Sequence, residues 1–128
     1  MNVVNGVSRR AWFYHFATLA GVIVLTFPWD LQDHPHWYKV AWLPFATGIV
    51  RPHDLLINAA LYFPLGFSIP ASSHRMRVGA AAGLAVVMSG LLELAQVWSH
   101  VRFPSATDIV MNVMGSIAGA MAAGRLLR

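Results

Sequence analysis

The sequence predicts an all-α integral membrane protein, a bundle of four transmembrane helices. Hydrophobic residues make up 57% of the 128 positions and charged residues only 11%, whereas a soluble domain carries about 25% charged residues. A soluble fold of this length has too much exterior to bury that much apolar surface, so lipid must cover it. Four apolar runs, 11–28, 54–71, 78–98 and 105–124, each approach the roughly 20 residues that cross about 30 Å of hydrocarbon.

The first run follows Arg9 and Arg10, as in a secretory signal. The bulky Phe27-Pro28-Trp29-Asp30 after it offers no small-residue cleavage site, so the run reads as a retained helix. Residues 29–53 form the longest connection. Pro35, Pro44 and Pro52 interrupt it, and its aromatics alternate with His34, His36 and Lys39. It reads as an outer loop lying partly in the interface. The second and third runs are separated by the shortest loop, which carries Arg75 and Arg77. The whole chain, 1–128, reads as a single domain.

Arg9, Arg10, Arg75, Arg77, Arg125 and Arg128 fall on one side, and Lys39, Arg51 and Arg102 on the other. The basic side faces the cytoplasm, which places both termini there and makes the chain a multi-pass protein of the cell membrane. Trp29, Trp37, Trp42 and Trp98 then lie at the outer interface, where indole rings favour the headgroups. The net charge of +4 is used up in these short clusters, so nucleic acid is not an expected partner. With no cysteine, disulfides and thiolate metal sites are excluded. His34-x-His36 alone makes no metal site, and no cofactor is expected.

Three of the five acids lie in or at the end of an apolar run, each with an amide on the same helix face: Asp54 with Asn58, Glu93 with Gln96, and Asp108 with Asn112. Asn58 lies about 6 Å below Asp54, Glu93 about 7.5 Å below the outer boundary, and Asp108 in the first turn of its helix. All three pairs therefore occupy one outer layer, with Arg102 at the same level. A charge at the helix centre costs about 2.5–3.5 kcal/mol to insert, so such groups turn inward and find partners. As packing glue they would contribute about 0.6 kcal/mol each; as a site they would face one another and open outward. Ser105-x-x-Asp108 also matches a capping box. Gly115-x-x-x-Gly119 and Gly79-x-x-x-Gly83 read as close helix contacts, and Pro64 as a kink.

Asp54-x-x-x-Asn58, Phe63-Pro64-Leu65-Gly66-Phe67, Glu93-x-x-Gln96 and Arg102-Phe103-Pro104-Ser105-Ala106-Thr107-Asp108-x-x-x-Asn112-x-x-Gly115 occur in that order. Together they resemble the VanZ-like family. The resemblance implies a small multi-pass membrane protein, and its namesake is associated with reduced susceptibility to the glycopeptide teicoplanin. Where many members carry a second acid three residues before the Asp108 position, this chain has Ser105.

Four functions compete. The first is binding or modifying an amphiphile at the outer leaflet, a membrane lipid, lipid-linked molecule or lipoglycopeptide. Asp54, Asn58, Gln96, Asp108 and Asn112 would meet amines or hydroxyls, and Arg51 and Arg102 anionic groups. The second is an intramembrane enzyme with Glu93 as general acid or base on a lipid-linked substrate. The third, a proton-coupled transporter, lacks acids in the inner half. The fourth is an assembly factor without catalysis. The sequence leaves the oligomeric state open.

Overall fold

The computed structural model describes residues 3–4, 7–46, 51–71 and 74–127. Four helices account for the architecture: α1 Arg9–Thr26, α2 Pro52–Phe67, α3 His74–Ala95 and α4 Ala106–Leu126. A two-residue antiparallel pairing, Val3–Val4 with Val7–Ser8, precedes α1. A single 3-10 turn, Gln96–Trp98, extends α3.

Local chemistry sets most boundaries. Ser8 caps α1 by accepting the Ala11 amide at 3.2 Å. Pro28 forces Phe27 into extended backbone, so α1 stops at Thr26 rather than running to 28. Pro52 opens α2 at a position where a missing N–H costs nothing. Pro70 and the Ser68 hydroxyl, which donates to the Leu65 carbonyl, end α2 before the expected 71. Helix α2 continues through Pro64 to Phe67. Helix α3 begins four residues before the apolar run, because hydropathy marks contact with lipid rather than the end of a helix.

Helix α4 is the centre of the bundle. It packs along α2 and along α3, while α1 meets α2 more lightly. The α2–α4 seam depends on bare backbone. A Cβ added at Gly115 would run into the Ala59 carbonyl, one at Gly119 into that of Phe63, and one at Gly66 into that of Ser116. The Gly115-x-x-x-Gly119 reading therefore holds. The Gly79-x-x-x-Gly83 reading does not, since a Cβ at either position would meet nothing within 4 Å. The spacing is the same, but none of the described residues approaches that face within 4 Å.

One end of the bundle gathers Ser8, Phe67, Ala71, Arg77 and Leu127 around a common cavity. The ends of all four helices meet there, so neighbours in sequence run antiparallel. Arg9, Arg10, Arg75, Arg77 and Arg125 belong to this end; Arg128 and residues 47–50 of the long connection lie outside the described residues. Outward faces are apolar: Phe13, Val24, Val87 and Leu91 are each more than half exposed. Arg75–Trp98 and Ala106–Leu126 are long and apolar enough to cross a membrane. Helix α2, with 16 residues, is only about 24 Å long.

At the opposite end the long connection is stitched to the α3–α4 linker. Gln32 N donates to Trp98 O at 2.8 Å, His36 N to Val97 O at 2.7 Å, Ala41 N to Pro104 O at 3.0 Å, and Ala106 N to Ala41 O at 2.9 Å. Trp37 meets Trp98 edge-on at 5.8 Å, and the Lys39 ammonium lies 4.3 Å from the Phe103 ring centre.

The glycine contacts set an expected outcome. Gly115→Ala should cost about 1–3 kcal/mol, because two backbones must separate to admit one methyl. Gly83→Ala should be neutral or gain up to about 1 kcal/mol from helix propensity. Thermal melts of both variants in detergent check this, and equal effects would refute the seam.

Candidate functional site

Asp30 organises the linker that carries Arg102. Its carboxylate accepts from the Ser99 hydroxyl at 2.9 and 3.0 Å, from the His100 amide at 2.8 Å and from the Val101 amide at 3.1 Å. Ser99 Oγ in turn accepts the Arg102 amide at 2.9 Å. With the turn fixed, the Arg102 guanidinium reaches back to α1, donating to Thr26 O at 3.2 Å and Leu25 O at 3.5 Å. It therefore caps carbonyls at the C-terminus of α1 that lack partners within their own helix.

Glu93 sits in the last turn of α3, where its own helix dipole disfavours its charge. Its Oε2 accepts the backbone amide of Ser105, the N-cap of α4, at 2.7 Å. The carboxylate thus lies at the positive end of one helix while belonging to the negative end of another. This overturns the capping-box expectation. The Ser105 side chain makes no capping bond, and its amide is taken by Glu93 rather than by Asp108. Asp108 instead faces Asn58 of α2 across the same cavity.

The amide pairs are rearranged in the same way. Only Gln96 and Glu93 bond within one helix, at 3.5 Å. Asn58 faces Asp108 of α4 rather than Asp54 of its own helix, and Asn112 Nδ2 donates across to Ser89 Oγ of α3 at 2.8 Å. Tyr62 of α2 lies beside Ser89, so residues of three helices meet at this bond. Asn112 Oδ1, in a residue only 5% exposed, has no partner. Asp54 stands at the rim, 55% exposed, with His53 Nε2 2.9 Å from its carboxylate.

Asp54, Asn58, Glu93, Gln96, Arg102, Asp108 and Asn112 all line one cavity of about 280 Å³, together with Thr26, Tyr62, Phe103 and apolar residues of α1, α2 and α3. Arg51, at the N-cap of α2, is exposed and does not line it. Tyr62 and Ser89 escaped the sequence reading although a signal existed. Tyr62 continues the Asp54, Asn58 face at the next i+4 step, and Ser89 is four residues before Glu93. Asp30 had no such signal, because its partners lie about 70 positions away. Glu93 and Ser105 also border a second, mostly apolar groove of about 150 Å³, lined by Trp37, Trp42, Leu94, Val97 and Ile109.

Two of the four helices are long and apolar enough to cross a membrane, and a polar cavity lies at one end of the bundle. The VanZ/LLP1 family model matches residues 6–127, and the chain belongs to that family. No curated protein and no solved structure matches it.

Asp30 yields a pH-dependent expectation. Partial burial pushes its pKa up, but the hydrogen bonds from Ser99, His100 and Val101 outweigh this and hold it below the ordinary 3.8. A carboxylate with a depressed folded-state pKa stabilises fully above its unfolded value. That stability is lost as pH falls through the folded value. Wild type should therefore melt above Asp30→Asn at pH 7, and the two curves should converge below about pH 3.8. Melting in detergent between pH 7 and 3 measures this; a constant gap would exclude the charge as its source.

Proposed function

We propose that the chain is a four-span protein of the cell membrane, with both termini in the cytoplasm, whose outward-facing cavity holds the headgroup of a cell-envelope amphiphile. The observation that carries this reading is the convergence of three acids, three amides and one guanidinium, drawn from three helices and a linker, on a single cavity. Packing alone requires no shared void, and a sequence that inserts three carboxylates meets a cost that a bound partner offsets.

Orientation rests on the basic end described above, which faces the cytoplasm by charge. The cavity then opens at the outer leaflet, beside Trp29, Trp37, Trp42 and Trp98. Helices α1 and α2 complete the span. The short α2 is accommodated by local thinning of the bilayer, and the exposed Phe13, Phe16 and Leu56 face lipid.

Size narrows the occupant. Pockets that enclose drug-sized molecules run from about 300 to 1,000 Å³, and this cavity lies just below that range. It admits a headgroup or a single sugar but not a whole glycopeptide antibiotic. Any effect on glycopeptide susceptibility would then act through the envelope molecule that the protein holds.

The test combines topology and occupancy. A C-terminal alkaline phosphatase fusion should be inactive. Native mass spectrometry of the detergent-purified protein should find a retained amphiphile. Glu93→Gln should melt close to wild type, because its amide oxygen still accepts from Ser105, yet retain about tenfold less of that amphiphile. A stable variant with wild-type occupancy would remove Glu93 from the site.

A further inference from the structure

The cavity has a pronounced imbalance between acceptors and donors. Three carboxylates, of Asp54, Glu93 and Asp108, face one guanidinium, that of Arg102. Both Nη atoms of Arg102 are already directed at the carbonyls of Thr26 and Leu25. The Gln96 amide donates to Glu93, and the Asn58 amide faces Asp108.

A second, independent observation concerns Asn112. Its Nδ2 is held by Ser89, and its Oδ1 has no partner although the residue is 95% buried and lines the cavity. A buried acceptor left without a donor costs about 1–3 kcal/mol. With Nδ2 donating to Ser89 Oγ, the acceptor Oδ1 is the atom left open.

Resting on the headgroup reading above, we propose that this cavity selects a protonated primary amine over an anionic group. An alkylammonium brings three N–H donors and no acceptor. One reaches Asn112 Oδ1, and the others meet the lone pairs that Glu93 and Asp108 leave open. Its charge offsets the excess of carboxylates. A phosphate or carboxylate brings only acceptors and adds negative charge where three carboxylates already stand. The neighbouring apolar groove bordered by Glu93 and Ser105 gives an acyl chain a place beside the amine.

The amine has two sources, a lipid headgroup or a small soluble molecule, and the experiment separates them. The detergent-purified full-length protein is titrated calorimetrically at pH 7 with dihexanoyl phosphatidylethanolamine, dihexanoyl phosphatidylglycerol and free ethanolamine. The expected result is binding of the ethanolamine lipid about tenfold tighter than the glycerol lipid, with free ethanolamine weaker than either amphiphile. Asn112→Leu should reduce affinity for the ethanolamine lipid about tenfold and leave the glycerol lipid unchanged. Should that buried variant fail to fold, Asp54→Asn, at the exposed rim, should narrow the preference about two- to fivefold.

Equal or tighter binding of the glycerol lipid overturns amine selectivity while leaving the headgroup reading intact. Absence of binding by both lipids overturns both. Free ethanolamine binding as tightly as its lipid supports the amine chemistry and overturns the headgroup reading.

Discussion

The carboxylate of Glu93 against the amide of Ser105 joins the end of one helix to the start of the next, and the polar end of the bundle is arranged around it. The last turn of α3 presents unpaired carbonyls and the first turn of α4 unpaired amides. A carboxylate placed between them is disfavoured by the first dipole and favoured by the second, by about 0.3–2 kcal/mol depending on exposure. Glu93 is only 6% exposed, so its contact with the α4 amide lies away from solvent and is weakly screened. The first amides of α4 are then shared between a side chain of α3 and the Ala41 carbonyl of the long connection. Three segments distant in sequence meet at one helix terminus.

This cap fixes the height of α4 relative to α3, and the glycine seam fixes α4 against α2. Gly66, Gly115 and Gly119 let the two backbones approach closely, which suits a setting where lipid removes the hydrophobic drive between helices and leaves packing and hydrogen bonds to hold them. At that separation, Asn58 and Asp108 lie side by side. Had bulkier residues stood at the seam, the two would be separated by a side chain and each would need water. The close packing and the polar layer are therefore one design. The seam glycines do not line the cavity, whose wall is completed by Arg102 and Phe103 of the linker.

The sequence contained the depth of the polar layer but not its wiring. Apolar run length and rise per residue place Asp54, Glu93 and Asp108 at one level by arithmetic, and all seven candidate residues line one void. The partners were not legible. Ser105 and Asp108 have the spacing of a capping box, yet the amide in question was captured from another helix, and no local pattern encodes that. Gly79 and Gly83 repeat the spacing of Gly115 and Gly119, but small residues mark only an opportunity for contact, and among the described residues none meets α3 at these two positions. Asp30 looked like an ordinary loop acid because hydrogen bonding to residues 99–101 depends on the tertiary path of the long connection.

The polar residues divide according to what the fold leaves them to do. Arg102 is occupied by the C-terminus of α1, Asp30 by the linker, and Glu93 Oε2 by α4. These explain themselves as structure, and each replaces water that lipid or packing has removed. Asp54 and Asn112 are different. Asp54 is more than half exposed, so its contact with His53 is worth little. Asn112 satisfies its donor and leaves its acceptor unmatched inside the protein. A residue present only as glue would be expected to complete both bonds, since an unsatisfied buried oxygen works against the packing it is meant to secure. The open acceptor at Asn112, one helical turn deeper than Asp108 and lining the same cavity, is the feature on which the proposed headgroup site, as opposed to a set of interhelical clasps, rests.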